Sequence, residues 1–108
     1  VVTGDHNSMS VWFFVGIDTD YVTPPYNCFI NSVVEPVNNK NRLFSTIDMY
    51  PTMLVAMGAS IEGNRLGLGT NLFSDKKTIM EEIGFNELNN EVQKTSRFYD
   101  YTILGLEK

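Results

Sequence analysis

Residues 45–58 read Ser45-Thr46-Ile47-Asp48-Met49-Tyr50-Pro51-Thr52-Met53-Leu54-Val55-Ala56-Met57-Gly58, the strongest helical signal in the chain. Ser45 or Thr46 can cap the first turn, and Asp48 sits where the helix macrodipole favours a carboxylate. Pro51 falls early enough for its missing N–H to be tolerated. Ile47, Tyr50, Leu54 and Met57 recur at helical spacing and are expected to face a core, with Gly58 as the left-handed stop. Upstream, residues 26–34 (Tyr-Asn-Cys-Phe-Ile-Asn-Ser-Val-Val) are short and rich in aromatic and β-branched side chains, the pattern of a strand ending before Glu35-Pro36. Val1-Val2-Thr3 resembles the last turn of a buried strand, broken by Gly4.

Beyond Gly58 the expected elements are a helix after Ser74 with Ile79, Met80 and Ile83 on one face and a stop at Gly84, then a third helix from about Asn86 to Phe98. A short edge strand is expected over 101–104. Residues 10–16 are apolar, and 17–25 read as an irregular loop around Asp18, Asp20, Pro24 and Pro25. The expected class is α/β, a mixed sheet flanked by helices with the opening strand central, in a single domain over 1–108.

Thirteen acidic and eight basic side chains in 108 residues give a net charge of −5. A general nucleic-acid binder is excluded, since Lys76-Lys77 and the short stretch 40–42 do not make a patch that holds a polyanion. No apolar run reaches the ~18 residues that span a bilayer. Cys28 is the single cysteine, so neither an internal disulfide nor a thiolate metal site can form. The chain opens on Val1-Val2 without a basic and apolar leader, and reads as part of something longer.

Chemistry centres on Asp5-His6, which contains the one histidine. Neighbours on a strand point to opposite faces, so the two side chains can converge on one ion only where the strand has ended and Gly4 lets the backbone turn. Ligands of open α/β sheets collect beyond the carboxyl ends of strands, and a carboxylate with an imidazole makes half of a divalent-cation site. A Gly-Asp-His tripeptide is equally an ordinary turn. A Ser-His-Asp or Cys-His arrangement would have to use His6, and no spacing selects its nucleophile. Residues 66–71 (Leu-Gly-Leu-Gly-Thr-Asn) lack the Lys of a P-loop and the third Gly of a dinucleotide fingerprint, which leaves a tight, partly buried turn. Glu81-Glu82 reads as a solvated helix face, and Trp12-Phe13-Phe14 as core or as a contact surface.

Three blocks taken together resemble the C-terminal part of sulfatase-like phosphoglycerol transferases of the alkaline phosphatase superfamily: Val2-Thr3-Gly4-Asp5-His6, residues 46–54 (Thr-Ile-Asp-Met-Tyr-Pro-Thr-Met-Leu) and residues 64–74 (Asn-Arg-Leu-Gly-Leu-Gly-Thr-Asn-Leu-Phe-Ser). That group includes the lipoteichoic acid synthases and the transferases that decorate periplasmic glucans. The resemblance covers nearly the whole chain, and the blocks follow in the same order. It implies the C-terminal part of an alkaline-phosphatase-like sandwich, in which Asp5 and His6 ligate a divalent metal, manganese or magnesium. It also implies an acidic ligand and a threonine nucleophile upstream of these residues, so no nucleophile and no substrate-binding residue is carried onto this chain. The implied partners are the remainder of its own catalytic domain, a phosphatidylglycerol-like lipid donor and a cell-surface glycan acceptor. The implied location is an extracellular or periplasmic domain of a membrane-anchored protein. A sulfatase, a phosphoethanolamine transferase of the same superfamily, and a non-catalytic interaction domain are the alternatives.

Overall fold

The computed structural model describes residues 1–4, 6, 9–16, 24–38 and 40–106. The chain is mixed α/β, and its strands form two small antiparallel pairs. β1 (Val2–Thr3) pairs with β2 (Asn27–Cys28), with Val2 opposite Cys28 and Thr3 opposite Asn27. β3 (Arg65–Leu66) and β4 (Gly69–Thr70) form a hairpin. Its two-residue loop starts with Gly67 at φ 59°, the positive first torsion that a tight hairpin turn demands. The helices are α1 (Met49–Ala56), α2 (Ile79–Ile83) and α3 (Phe85–Val92), with 3-10 turns at Val11–Phe14, Thr46–Asp48 and Glu62–Asn64 and a π turn at Tyr99–Ile103.

Local signals set the helix ends. Ser45 and Asp48 close a capping box at the 3-10 turn leading into α1. Gly58 ends α1 at φ 99°, and its N–H and that of Ala59 donate to the Val55 and Leu54 carbonyls. Thr78 caps α2: its hydroxyl accepts from the Glu81 N–H at 3.0 Å while the Glu81 carboxylate accepts from the Thr78 N–H at 2.8 Å. Gly84 stops α2 as expected, at φ 84°.

The expected inward face of α1 is corrected. Ile47, Tyr50 and Met57 are exposed, whereas Met49, Thr52, Val55 and Ala56 are buried, so the packed stripe is rotated by about one residue. The helix carries apolar groups all round, and periodicity cannot choose a face under that condition. What chooses it is polar: Thr52 at 0% exposure and Asp48 at 2% are held inside to bond the hairpin backbone.

Strand lengths are corrected too. Of residues 26–34 only Asn27–Cys28 pair, because a lone two-stranded ribbon cannot hold a longer strand in register. β1 is not central among the described residues: it has one partner, and Val1 and Val2 are exposed. The third helix ends at Val92, and residues 101–104 lie in and beside the π turn instead of an edge strand. The loop expected over 17–25 falls mostly outside the described residues. The core is a cluster of Val55, Ala56 and Phe73 with Phe29 and Ile61 against it. Phe29 and Phe73 meet edge to face, with ring centroids 5.0 Å apart.

Candidate functional site at the end of the first strand

β1 ends at Thr3, and Gly4 follows with its N–H donating to the Tyr26 carbonyl at 2.9 Å, which extends the pairing to β2 by one step. The Thr3 hydroxyl bonds the Asn27 side-chain oxygen, and the Asn27 amide donates to the Pro25 carbonyl at 3.1 Å. These bonds fix the backbone immediately before Asp5-His6. Asp5 lies outside the described residues; His6 is exposed just past the strand end.

Beside this point runs a groove of about 320 Å³ with Gly4, Pro24, Pro25 and Asn27 along one wall. Ser45, with Thr46 and Met49 from the start of the second motif block, forms the other. The floor is apolar, and no carboxylate among the described residues lines it. A carboxylate is a donor that suits manganese or magnesium, whereas an imidazole suits zinc and the later first-row metals. Among the described residues no group of three His, Cys, Asp or Glu side chains stands together to hold an ion. The donor types therefore fit a divalent cation, with the remaining ligands still to be supplied.

The second and third motif blocks meet in one buried hydrogen-bonded unit. Asp48 accepts from the Ser45 N–H at 2.9 Å and from the Thr70 N–H at 2.8 Å. The Thr52 hydroxyl donates to the Asp48 carbonyl at 2.7 Å and accepts from the Leu72 N–H at 2.9 Å. Gly69 is pressed so close to α1 that a Cβ there would lie 2.1 Å from the Ile47 carbonyl oxygen. The third block also bonds to itself: the Asn71 amide donates to Asn64 Oδ1 at 2.9 Å, and Asn71 Oδ1 accepts from the Phe73 N–H at 3.0 Å. Both blocks act as scaffold, and the glycine-rich stretch is the tight, partly buried turn expected of it.

Arg42 gave only a weak signal in the sequence, as one end of a short basic stretch. Its guanidinium is buried, and all five of its N–H groups are used. Two go to Glu81 at 2.8 and 2.9 Å, and three go to the Leu72, Ser74 and Lys76 carbonyls. The Arg42 guanidinium holds the Glu81 carboxyl well below the usual carboxylate range, at about 2. Glu82 pairs with Arg65 at 3.1 Å. The expectation of a merely solvated Glu81-Glu82 face is thus corrected: each carboxylate ties α2 to the rest of the fold.

No family model matches the chain, and no curated protein or solved structure matches it either. No helix among the described residues is long and apolar enough to cross a membrane.

Proposed function

We propose that this chain is part of a metal-dependent phosphoglycerol transferase, the C-terminal part of a sulfatase-like, alkaline-phosphatase-like sandwich. The observation that carries this reading is the position of Gly4, which directly follows the end of β1 and lines a groove whose far wall begins the second motif block. Further support comes from the second and third blocks, which interlock through Asp48 and Thr52 as a scaffold against that groove. The other edge of β1 is open among the described residues, as pairing with the remainder of a larger catalytic domain would require.

In this mechanism an upstream threonine attacks the phosphodiester of a phosphatidylglycerol-like lipid, the diglyceride alcohol leaves, and a glycerophosphoryl threonine forms. A hydroxyl of a cell-surface glycan then attacks phosphorus and releases the threonine. Asp5 and His6 would hold manganese or magnesium, which lowers the nucleophile's pKa and neutralises charge on the phosphoryl oxygens when bound. The work is done outside the cytoplasmic membrane, in a domain anchored to it.

His6→Ala in the intact protein is expected to lower glycerol phosphate transfer by at least about 100-fold, beyond the loss typical of an outer-shell partner. Unchanged transfer at saturating manganese overturns the metal role. Sulfate-ester hydrolysis or ethanolamine phosphate transfer by the intact protein would place it elsewhere in the same superfamily. The reading as a non-catalytic interaction domain is favoured by one observation, Trp12 at 86% exposure.

A further inference from the structure

A groove of about 450 Å³ lies at the carboxyl end of α1 and shares no lining residue with the groove beside Gly4. Glu35 and Asp75 both stand in its lining. The Val37 N–H donates to the Phe73 carbonyl at 2.7 Å, which ties together the two segments that carry these carboxylates. Both side chains are exposed, and neither bonds to nor pairs with a protein group among the described residues. α1 adds to the negative potential. Val55 and residues 58–61 bring its carboxyl end to the groove, and no basic residue stands in its last turn to offset the partial charge there. Among the described residues no Lys or Arg lines the groove; Lys40, Lys76 and Lys77 fall outside it. A cleft lined by one sign of charge concentrates the opposite sign.

The rest of the lining is apolar at the surface: Val34 and Val37 are exposed, and Ile61 is half-buried. Lys and Arg side chains match that combination, because an apolar stem can cover valine and isoleucine while the charged head reaches a carboxylate in water. A bare metal ion would leave those side chains uncovered, and an anion would meet two carboxylates.

We propose that this groove docks a basic segment of a partner protein. Its lysine or arginine stems lie on Val37 and Ile61, and its cationic heads pair with Glu35 and Asp75. Two carboxylates on separate segments call for two cations, which an extended chain with basic residues at alternate positions presents from one face. The proposal needs neither the metal nor the transferase reading, so each can fail alone.

Fluorescence anisotropy of the intact protein with a labelled hexapeptide of alternating lysine and valine tests it. Saturable binding is expected, with a loss of about tenfold in Glu35→Gln/Asp75→Asn, the scale of two exposed ion pairs. Neither carboxylate bonds within the fold, so the melting temperature of this variant should match the parent. Glu87→Gln/Glu91→Gln on α3 removes the same two charges away from the groove and should bind the peptide as the parent does. Val37→Ser, which strips an apolar wall, should weaken binding as well. Absence of binding overturns the proposal, and so does an equal loss in the α3 variant, which would mean attraction to net charge alone. Equal affinity for the glutamine–valine peptide removes the role of the carboxylates. Equal affinity for spermidine would assign the groove to a small polycation in place of a protein segment.

Discussion

Arg42 and Glu81 form the more buried of the ion pairs that tie α2 to the fold, and titration exposes their coupling. The folded carboxyl sits at about 2 against an ordinary value of 4.5. A depressed carboxylate contributes stability that is fully present above its unfolded value and is lost as pH falls through the folded one. The contribution of Glu81 is therefore complete above about pH 4.5 and fades between there and about 2. Glu81→Gln should lower stability at pH 7 by about 2 kcal/mol, the scale of hydrogen bonds to a charged group. Its melting temperature and that of the parent should converge as pH is taken from 6 to 2. Parallel curves across that range would mean that the ion pair contributes nothing. Asp48 is the second such residue. Asp48→Ala strips the acceptor from two N–H groups, Ser45 and Thr70, the latter buried, and should cost about 3 kcal/mol in urea unfolding.

At the level of elements, the hairpin β3–β4 docks on α1 because residue 69 has no side chain. Gly69→Ala would drive a methyl into the Ile47 carbonyl and the Pro51 ring, and should destabilise by about 3 kcal/mol or more. Gly67→Ala meets no atom within 4 Å and bears only its φ of 59°, a penalty of about 1 kcal/mol. Thermal unfolding of the two variants side by side separates close approach from torsional freedom, and equal losses would show that α1 and the hairpin are not in contact. Stops such as Gly58 and Gly84 were legible in sequence because each works within four residues of itself, whereas the start of α2, expected after Ser74, lies at Ile79 with Thr78 as its cap. The buried face of α1 was not, since it is set by Asp48 and Thr52 bonding a hairpin some twenty residues away. The extent of β2 was not legible either, because strand length depends on a partner. Of the candidate site, the end of the opening strand before Gly4 could be read directly, while Asp5 lies outside the described residues. Arg42 could not, because three of its five bonds go to main-chain carbonyls, which sequence does not label.

For the molecule as a whole, burial is thin relative to chain length. The radius of gyration is 16.8 Å, where a compact chain of this size would have about 13 Å. The buried cluster is Val55, Ala56 and Phe73, while Phe98, Leu104 and Leu106 are more than half exposed. Ordering each residue costs about 1–2 kcal/mol of conformational entropy, which a cluster that small offsets only locally. The interlocked blocks around Asp48, Thr52 and Arg42 form the stable part, and β1 with its one short partner is the first to open. The 108-residue chain alone should therefore bind a hydrophobic dye and unfold over a broad range, with amide exchange slow for 48–56 and 69–74 and fast for 1–4 and 98–106. Supplying a strand that pairs with the open edge of β1, within a larger domain, should sharpen the transition and slow exchange at Val2 and Thr3. A single steep unfolding transition, coincident by far- and near-ultraviolet circular dichroism, would instead make these residues a self-sufficient domain and remove the need for any covering partner.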